Sequence, residues 1–472
     1  MKIAFMHYHL KTGGVTTVLK QQLSAVARQT EQLVITGDPP ETPLDTDTIH
    51  IPGLGYSRDD IGKFEPVEVA RAIIKAIRSK FNGPCDLLHV HNPTLAKNRH
   101  FLAILEFLQQ AGLNLFLQIH DFAEDGRPLA YFSEEYPADC HYGVINRRDY
   151  QILLKSGLKQ DGLHLIENTV SAPEITPQPG HEDPMALYPI RAIRRKNIGE
   201  AVLLSLFMPP GQAVAVTLPP NSPADIKSYR DWKAFVKDQA LDVSFDQGLN
   251  HDFEALVLSA DFLISTSITE AFGFSFLEPW LFGKLLWGRK LADICRDFEG
   301  KGIRLDHLYA GLYVPLDWID RRQFRKKWHD CVLKACALFN VSVEKARLRD
   351  AFDYITSDGV IDFGLLDESS QKRVILRLIS RGKDSARLIQ INSFLAKPGT
   401  ASDKAGLIAS NQDAILRNYN PALYREKLLD IYDKVRTTPI RQKIYKAVLV
   451  SSFLNLQQFS MLKWSDYTGI EN

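Results

Sequence analysis

Over the first 170 residues, short runs of aliphatic and aromatic side chains alternate with stretches that are apolar on one side only. The runs Lys2–His7, Gln32–Thr36, Leu87–His91, Leu113–Ile119, His141–Ile145 and Leu163–Ile166 are predicted strands. Thr16–Ala27, Glu65–Phe81 and Arg99–Ala111 are predicted helices; in the second, Val69, Ile73, Ile77 and Phe81 recur every four residues and form one apolar stripe. Strand–helix alternation at this rate implies a parallel, doubly wound sheet. Ser171–Pro184 carries four prolines and reads as an interdomain linker. A second alternation then begins. It has strands at Ala186–Ile193, Ala213–Leu218, Leu241–Phe245 and Phe262–Ser267, with helices at Lys196–Leu206, Ala224–Ala240 and Phe253–Ala260. From about residue 320 the pattern is helical, near Arg321–Phe339, Val343–Tyr354 and Ser369–Ser380, and it ends in two long segments, Asn411–Val435 and Ile440–Lys463. The expected fold class is α/β: two Rossmann-like domains facing across a cleft, with a helical C-terminal extension. The expected boundaries are 1–172, then 173–404 with a helical insertion, then a helical 405–472.

A chain of 472 residues exceeds one hydrophobic core, in keeping with two domains. The net charge of +1 gives no support to a nucleic-acid footprint. Five scattered cysteines, with no CxxC pair, read as reduced thiols of an intracellular protein. The chain opens directly on a strand-like run, without a signal-peptide pattern, and no apolar run approaches the roughly 18 residues that span a bilayer. The expected location is cytoplasmic.

The most informative stretch runs from Thr269 to Pro279. Glu270 and Glu278 stand eight apart around Phe272-Gly273-Phe274, after a strand and before an apolar segment. A glycine between them argues against one continuous helix, so Glu270 is expected in the loop after the strand and Glu278 in the first turns of the next helix. Both then face the crevice where open α/β sheets bind ligands, and two acceptor-only carboxylates suit a sugar or a ribose. Gly13-Gly14, between the first strand and first helix, removes two Cβ atoms, so that backbone N–H groups can approach an anion. The third glycine of the dinucleotide fingerprint is missing, which weakens a reductase reading. Arg191, Arg194, Arg195 and Lys196 follow the first strand of the second domain and could neutralise a diphosphate, although charge runs are commonly solvated faces. His120 ends a strand, where such folds keep catalytic groups; a structural histidine capped by Asp121 is the alternative. His89 and His91 read as packing and loop-anchoring residues. Asp45-Thr46-Asp47 lies in a loop without a preceding strand and is not read as a metal site.

Together these residues resemble the family 4 retaining glycosyltransferases of the GT-B fold. The resemblance covers roughly residues 1–300 and 405–435, and E-x7-E is its most specific element. It implies that Glu270 hydrogen-bonds the donor sugar near Phe272, Gly273 and Phe274, and that Glu278 holds the ribose of the nucleotide. It further implies that Arg191 and Lys196 bind the diphosphate, that Gly13-Gly14 lies beside it, and that His120 contacts the transferred sugar, with Glu270 and His120 as the catalytic pair. The chain departs from the family where Ile190 replaces the glycine before the arginine, so that Arg194 or Arg195 could take the arginine's place, and where Pro279-Trp280 and Phe282 replace small residues. The stretch 301–400 is longer than the family needs and does not align with it, and the resemblance implies that the helices of 405–472, Asn411–Val435 first, return to the first domain.

The resemblance implies hexose transfer from a nucleotide-diphosphate sugar, as co-substrate, to a hydroxyl on a glycan, lipid or small-solute acceptor, with retention and with neither metal nor cofactor. A glycoside phosphorylase on the same fold and a non-catalytic nucleotide- or glycan-binding partner subunit are the alternatives. Peripheral membrane contact through Ile440–Lys463 is compatible with its apolar positions, and packing on the first domain is the stronger expectation. Donor base, sugar, acceptor and oligomeric state are not legible.

Overall fold

The computed structural model describes residues 1–41, 43–56, 64–173 and 184–467. Most of the proline-rich linker thus lies outside the described residues. The chain divides into two compact units, residues 1–170 with 418–454 and residues 171–417 with 455–472. The expected return of 405–472 to the first domain is therefore narrower: 405–417 and 455–467 belong to the second unit.

The first unit is a seven-stranded parallel sheet. Its strands are β1 (Lys2–His7), β2 (Glu31–Thr36), β3 (Thr48–His50), β4 (Leu87–His91), β5 (Leu115–Ile119), β6 (His141–Val144) and β7 (Leu163–Leu165). Their spatial order is β3-β2-β1-β4-β5-β6-β7. The order reverses between β1 and β4, and the loops leaving these two strands border the crevice that such a reversal opens. Ile3 pairs with Leu87 and Val90 with Leu117, and both faces of these strands are covered, as their unbroken apolar runs require. Helices Gly14–Val26, Pro66–Phe81 and Phe101–Gln110 match the expected ones to within two residues at nearly every end. Strand β3 and the helix Arg147–Lys155, capped by the Asn146 side chain on the Asp149 amide at 2.7 Å, are additional elements.

The expected helix Asn411–Val435 is two helices, Lys404–Asn418 and Pro421–Thr437. Pro421 cannot supply the amide that a continuous helix needs, and Asn420 caps the new start, accepting from the Ala422 and Leu423 amides at 3.0 Å. The second helix packs on the first unit's sheet through Leu428, Ile431, Tyr432 and Val435, and its Tyr424 hydroxyl accepts from Gln22 at 2.9 Å. Ile440–Lys463 is not one helix either. Residues 446–453 are helical, and Ile444, Leu449 and Phe453 join the first unit's hydrophobic core. Those apolar positions are occupied by packing. Residues 440–445 are not helical and are tied down by Gln442, whose side chain meets Cys140 O at 2.6 Å, Gly162 O at 3.0 Å and the Lys159 amide at 2.9 Å, while 456–458 and 461–464 form two further short turns of helix.

The second unit repeats the plan with five parallel strands: β8 (Met185–Arg191), β9 (Ala213–Leu218), β10 (Val243–Ser244), β11 (Phe262–Ser265) and β12 (Leu286–Gly288), in the order β10-β9-β8-β11-β12. Pro189 interrupts the β8–β9 ladder, and the register shifts between Tyr188 and Arg191. Residues 301–400 add the antiparallel pair Tyr313–Pro315 and Val360–Asp362 together with four helices: Arg321–Leu338, Lys345–Ile355, Glu368–Ser380 and Lys383–Ile391. Among the described residues no helix is long and apolar enough to cross a membrane.

Candidate active site

In the second unit the site residues lie in the loops that leave β8 and β11, on either side of its strand-order reversal. The two loops are stitched to each other. Tyr188, buried within β8, donates its hydroxyl to Lys196 O at 2.7 Å and lies 3.0 Å from Ser267 Oγ. Thr266 Oγ1 reaches Lys196 O and Asn197 O, both at 3.0 Å, and the Ile268 amide donates to Arg195 O at 3.1 Å. These bonds bring Lys196 onto Glu270, and the ammonium donates to the carboxylate. Only 15% of the Lys196 side chain and 11% of that of Glu270 remain exposed. Burial alone would raise the Glu270 carboxyl, but Lys196 and Arg195 outweigh it and hold the group below the usual carboxylate range. Glu270 is therefore an anion at neutral pH. Lys196 has three ammonium protons, so one bond to Glu270 leaves two to give.

The four cations of this loop divide. Arg194 is committed to the fold: its guanidinium meets the buried Glu368, Met461 O at 3.2 Å and Ser465 Oγ at 3.3 Å, and its amide donates to Asp225 at 3.0 Å. That occupation removes Arg194 as a substitute for Arg191. Arg191 ends β8 half-buried, and no carboxylate among the described residues pairs with it.

Gly273 has φ +92, and a Cβ there would lie 2.9 Å from the Phe276 ring and 3.0 Å from Ile294, so both backbone and space demand glycine. The kink separates Glu270 in its loop from Glu278, the first residue of the short helix Glu278–Leu281. Glu278 is open to solvent, yet burial by the surrounding protein raises its carboxyl. Phe272 is buried, edge-on to Phe274 at 5.0 Å and to Phe298 at 5.7 Å. Its ring therefore belongs to the core rather than to a sugar surface. What Phe272 can offer a ligand is its backbone, beside Gly273, the half-buried Phe274 and Glu270.

Behind Lys196 is a buried network that the sequence did not reveal. Asn197, at φ +53, precedes the next helix without capping it through its side chain, which donates instead to Glu200 at 2.7 Å. Glu200, fully buried, is held by Arg289 and by the Tyr309 hydroxyl at 2.8 Å, and Arg289 also grips Asp362 at 2.6 and 2.7 Å. Gln371 donates to Asn197 at 2.9 Å. Asp362 and Gln371 come from 301–400, so that region buttresses the lysine loop.

In the first unit, Gly13 and Gly14 lead into the helix Gly14–Val26, which has no side-chain cap. Gly13 has φ 171, which any residue adopts, and a Cβ on Gly14 would meet nothing within 4 Å. Packing does not demand these glycines; what they leave is an approachable helix N-terminus. His120, at the end of β5, is capped not by Asp121 but by His91: Nε2 lies 2.9 Å from His91 Nδ1 and the rings stack at 5.2 Å. Asp121 pairs instead with Arg127 at 2.8 Å. Burial lowers the His120 pKa to about 4, so the ring is neutral near pH 7. His89 bonds Tyr432 Oη at 3.0 Å and Gln118 at 2.9 Å, consistent with a packing role. Asp47 pairs with Lys80 at 2.6 Å, away from these loops. Among the described residues no group of three or more potential ligands is placed to hold a metal ion.

The sequence matches no family model. It is 25% identical to mannosylglucosyl-3-phosphoglycerate synthase of Petrotoga mobilis, over 97% of this chain and 98% of that protein. The chain is a glycosyltransferase of the GT-B type. Its fold is shared with a sucrose-phosphate synthase from Thermosynechococcus elongatus (TM-score 0.53, 15% identity, 92% of this chain and 98% of that one). It is shared too with HepE of Anabaena, solved with UDP-glucose (TM-score 0.54, 12% identity, 92% and 99%). This glycosyltransferase thus keeps the two Rossmann-like units of the fold, and its resemblance to family 4 extends from the motif to the architecture.

Proposed function

We propose that this glycosyltransferase transfers a hexose from a nucleotide-diphosphate sugar to a hydroxyl acceptor with retention and without a metal. The observation that carries this is the Lys196–Glu270 pair, preformed at the strand-order reversal of the second unit, with Arg191 and Glu278 on the adjoining loop and helix. When the C1–O bond to the diphosphate breaks, negative charge grows on the leaving oxygens. Arg191 and the remaining ammonium protons of Lys196 would meet that charge without reorganising. Glu270, kept anionic, would accept from sugar hydroxyls and oppose the positive charge developing at C1. Glu278 would accept from the ribose hydroxyls. From the first unit, the family resemblance assigns Gly13-Gly14 to the diphosphate and the neutral His120 to the transferred sugar. The acceptor oxygen would bond C1 on the face the diphosphate leaves, giving its proton to a diphosphate oxygen, so no protein nucleophile is required. Because the Petrotoga relative is named for a phosphorylated product, phosphorylated acceptors belong in the first assays.

The test is a thermal-shift panel of UDP, GDP and ADP on the full chain and on Glu278→Ala. A nucleotide at about a hundred times its dissociation constant adds about 2.7 kcal/mol to the folded state. One nucleotide should raise the wild-type midpoint and fail to raise the variant's. No response from folded protein would overturn the donor assignment.

A further inference from the structure

Four loops at the C-terminal edge of the first unit's sheet bring together His9 and Lys11 after β1, Tyr56 after β3, Lys97 after β4 and Arg127 after β5. Their hydrogen bonds fix which protons are free. The Lys11 amide donates to His9 Nδ1 at 3.2 Å, so the neutral imidazole carries its proton on Nε2. That nitrogen lies 3.0 Å from Tyr56 Oη and must donate to it. The Tyr56 hydroxyl proton is consequently left to point elsewhere, and Tyr56 has no other hydrogen-bond partner among the described residues. Lys97 sits 5.7 Å above the Tyr56 ring, half-buried. Arg127 is paired with Asp121, and Lys11 lies 3.5 Å from Asp38. No described carboxylate pairs with Lys97. Arg127 lies close enough to act electrostatically on both Lys97 and Tyr56.

We propose that Lys97, Arg127 and the Tyr56 hydroxyl form a binding site for the phosphate of a phosphate-bearing acceptor. The assignment rests on the glycosyltransferase reading only for the word acceptor; the anion site stands on its own geometry. Two cations, the Arg127 guanidinium and the Lys97 ammonium, and an outward phenol proton face one carboxylate, Asp121, which takes one bond from Arg127, so donors remain for a phosphate group that offers acceptor oxygens on every side. Burial, and then the neighbouring Arg127, lowers the Lys97 pKa; a bound anion would reverse that direction. The site also places the acceptor on the unit that carries His120 and Gly14, so a hydroxyl of the same molecule is what remains to be glycosylated.

The test titrates glycerol 3-phosphate calorimetrically into the full chain, with glycerol as the uncharged control. Alongside it, sedimentation with phosphatidylglycerol vesicles is compared with phosphatidylcholine. Glycerol 3-phosphate should bind and glycerol should not. Lys97→Gln should weaken binding about tenfold or more, as expected for loss of a charged hydrogen bond, and Lys97→Arg should restore most of it. Lys196→Ala should leave it unchanged. Binding to glycerol 3-phosphate assigns a soluble phosphomonoester; binding only to phosphatidylglycerol vesicles, equally sensitive to Lys97→Gln, assigns a lipid headgroup. Binding of neither, or binding that survives Lys97→Gln and vanishes in Lys196→Ala, overturns the site. If glycerol 3-phosphate binds but no nucleoside diphosphate does, the donor assignment fails and the anion site stands.

Discussion

Arg289→Met is the most demanding test of the network behind Lys196. The substitution keeps the stem's volume and removes the cation that two carboxylates share. They are not equally hurt. The Asp362 side chain is 20% exposed and can rehydrate, whereas Glu200 is fully enclosed and cannot. Removing one partner of a buried pair costs about 3–5 kcal/mol, because the other charge stays behind in a poor solvent. That cost falls on Glu200, whose carboxyl burial already raises against the pull of Arg289. In the variant its pKa should climb further, so folding takes up a proton. A folded pKa raised above the unfolded value makes stability fall as pH rises, so the defect should be largest above pH 7 and shrink toward pH 5. Adding Glu200→Gln removes the stranded charge, lets Tyr309 turn its hydroxyl from donor to acceptor, and should recover most of the loss. The assay is scanning calorimetry of the single and double variants at pH 5 and 8, with nucleotide binding read in parallel, since Asn197 and Lys196 rest on Glu200. A single-variant loss below about 1 kcal/mol, or a double variant no better than the single, would refute the account.

Gly273→Ala should destabilise by about 1–3 kcal/mol, through a left-handed backbone and a 2.9 Å approach to Phe276, with nucleotide affinity falling alongside; denaturant midpoints and titration check it together. Lys196→Gln removes the largest influence holding Glu270 down, so its carboxyl should rise and donor binding should fade at a higher pH than in wild type, as a pH series of nucleotide-sugar affinity would show. His7, His89 and His164 have pKa values lowered to about 3 and His120 to about 4, so unfolding takes up protons once pH drops below 6.5. Stability should therefore fall with decreasing pH, at a rate approaching about 5 kcal/mol per pH unit for four protons; a flat urea midpoint from pH 7 to 5 would contradict it. Asn420→Ala should cost about 1 kcal/mol by uncapping the helix Pro421–Thr437, measurable by urea unfolding.

The sheet strands were legible because buried parallel strands are continuous apolar runs, and the E-x7-E stretch because Gly273 divides loop from helix. The break at Asn420-Pro421 was also written in the chain, as a capping residue followed by proline, but the apolar period on both sides concealed it. Ile440–Lys463 misled for a different reason: Ile444, Leu449 and Phe453 are spaced by the core they enter, not by one helix's own turns. What stayed hidden depends on partners remote in sequence. Arg289 meets Glu200 and Asp362 across 89 and 73 residues, and His91 meets His120 across 29, distances over which one sequence carries no pairing signal.

The discontinuity of both units bears on how the chain can be made. On a ribosome, residues 1–170 emerge long before Ile444, Leu449 and Phe453, so the first unit's core waits with an apolar face uncovered until nearly the whole chain is out. The second unit waits longer still, because Phe459 packs on Trp328 and Met461 and Ser465 receive Arg194. Neither half is an autonomous folding domain in the order of synthesis. A nascent chain stalled near residue 400 should therefore engage chaperones through two unfinished cores, whereas cutting the gene at the linker should leave only the first fragment without a segment of its core, since the second keeps every element of its own unit.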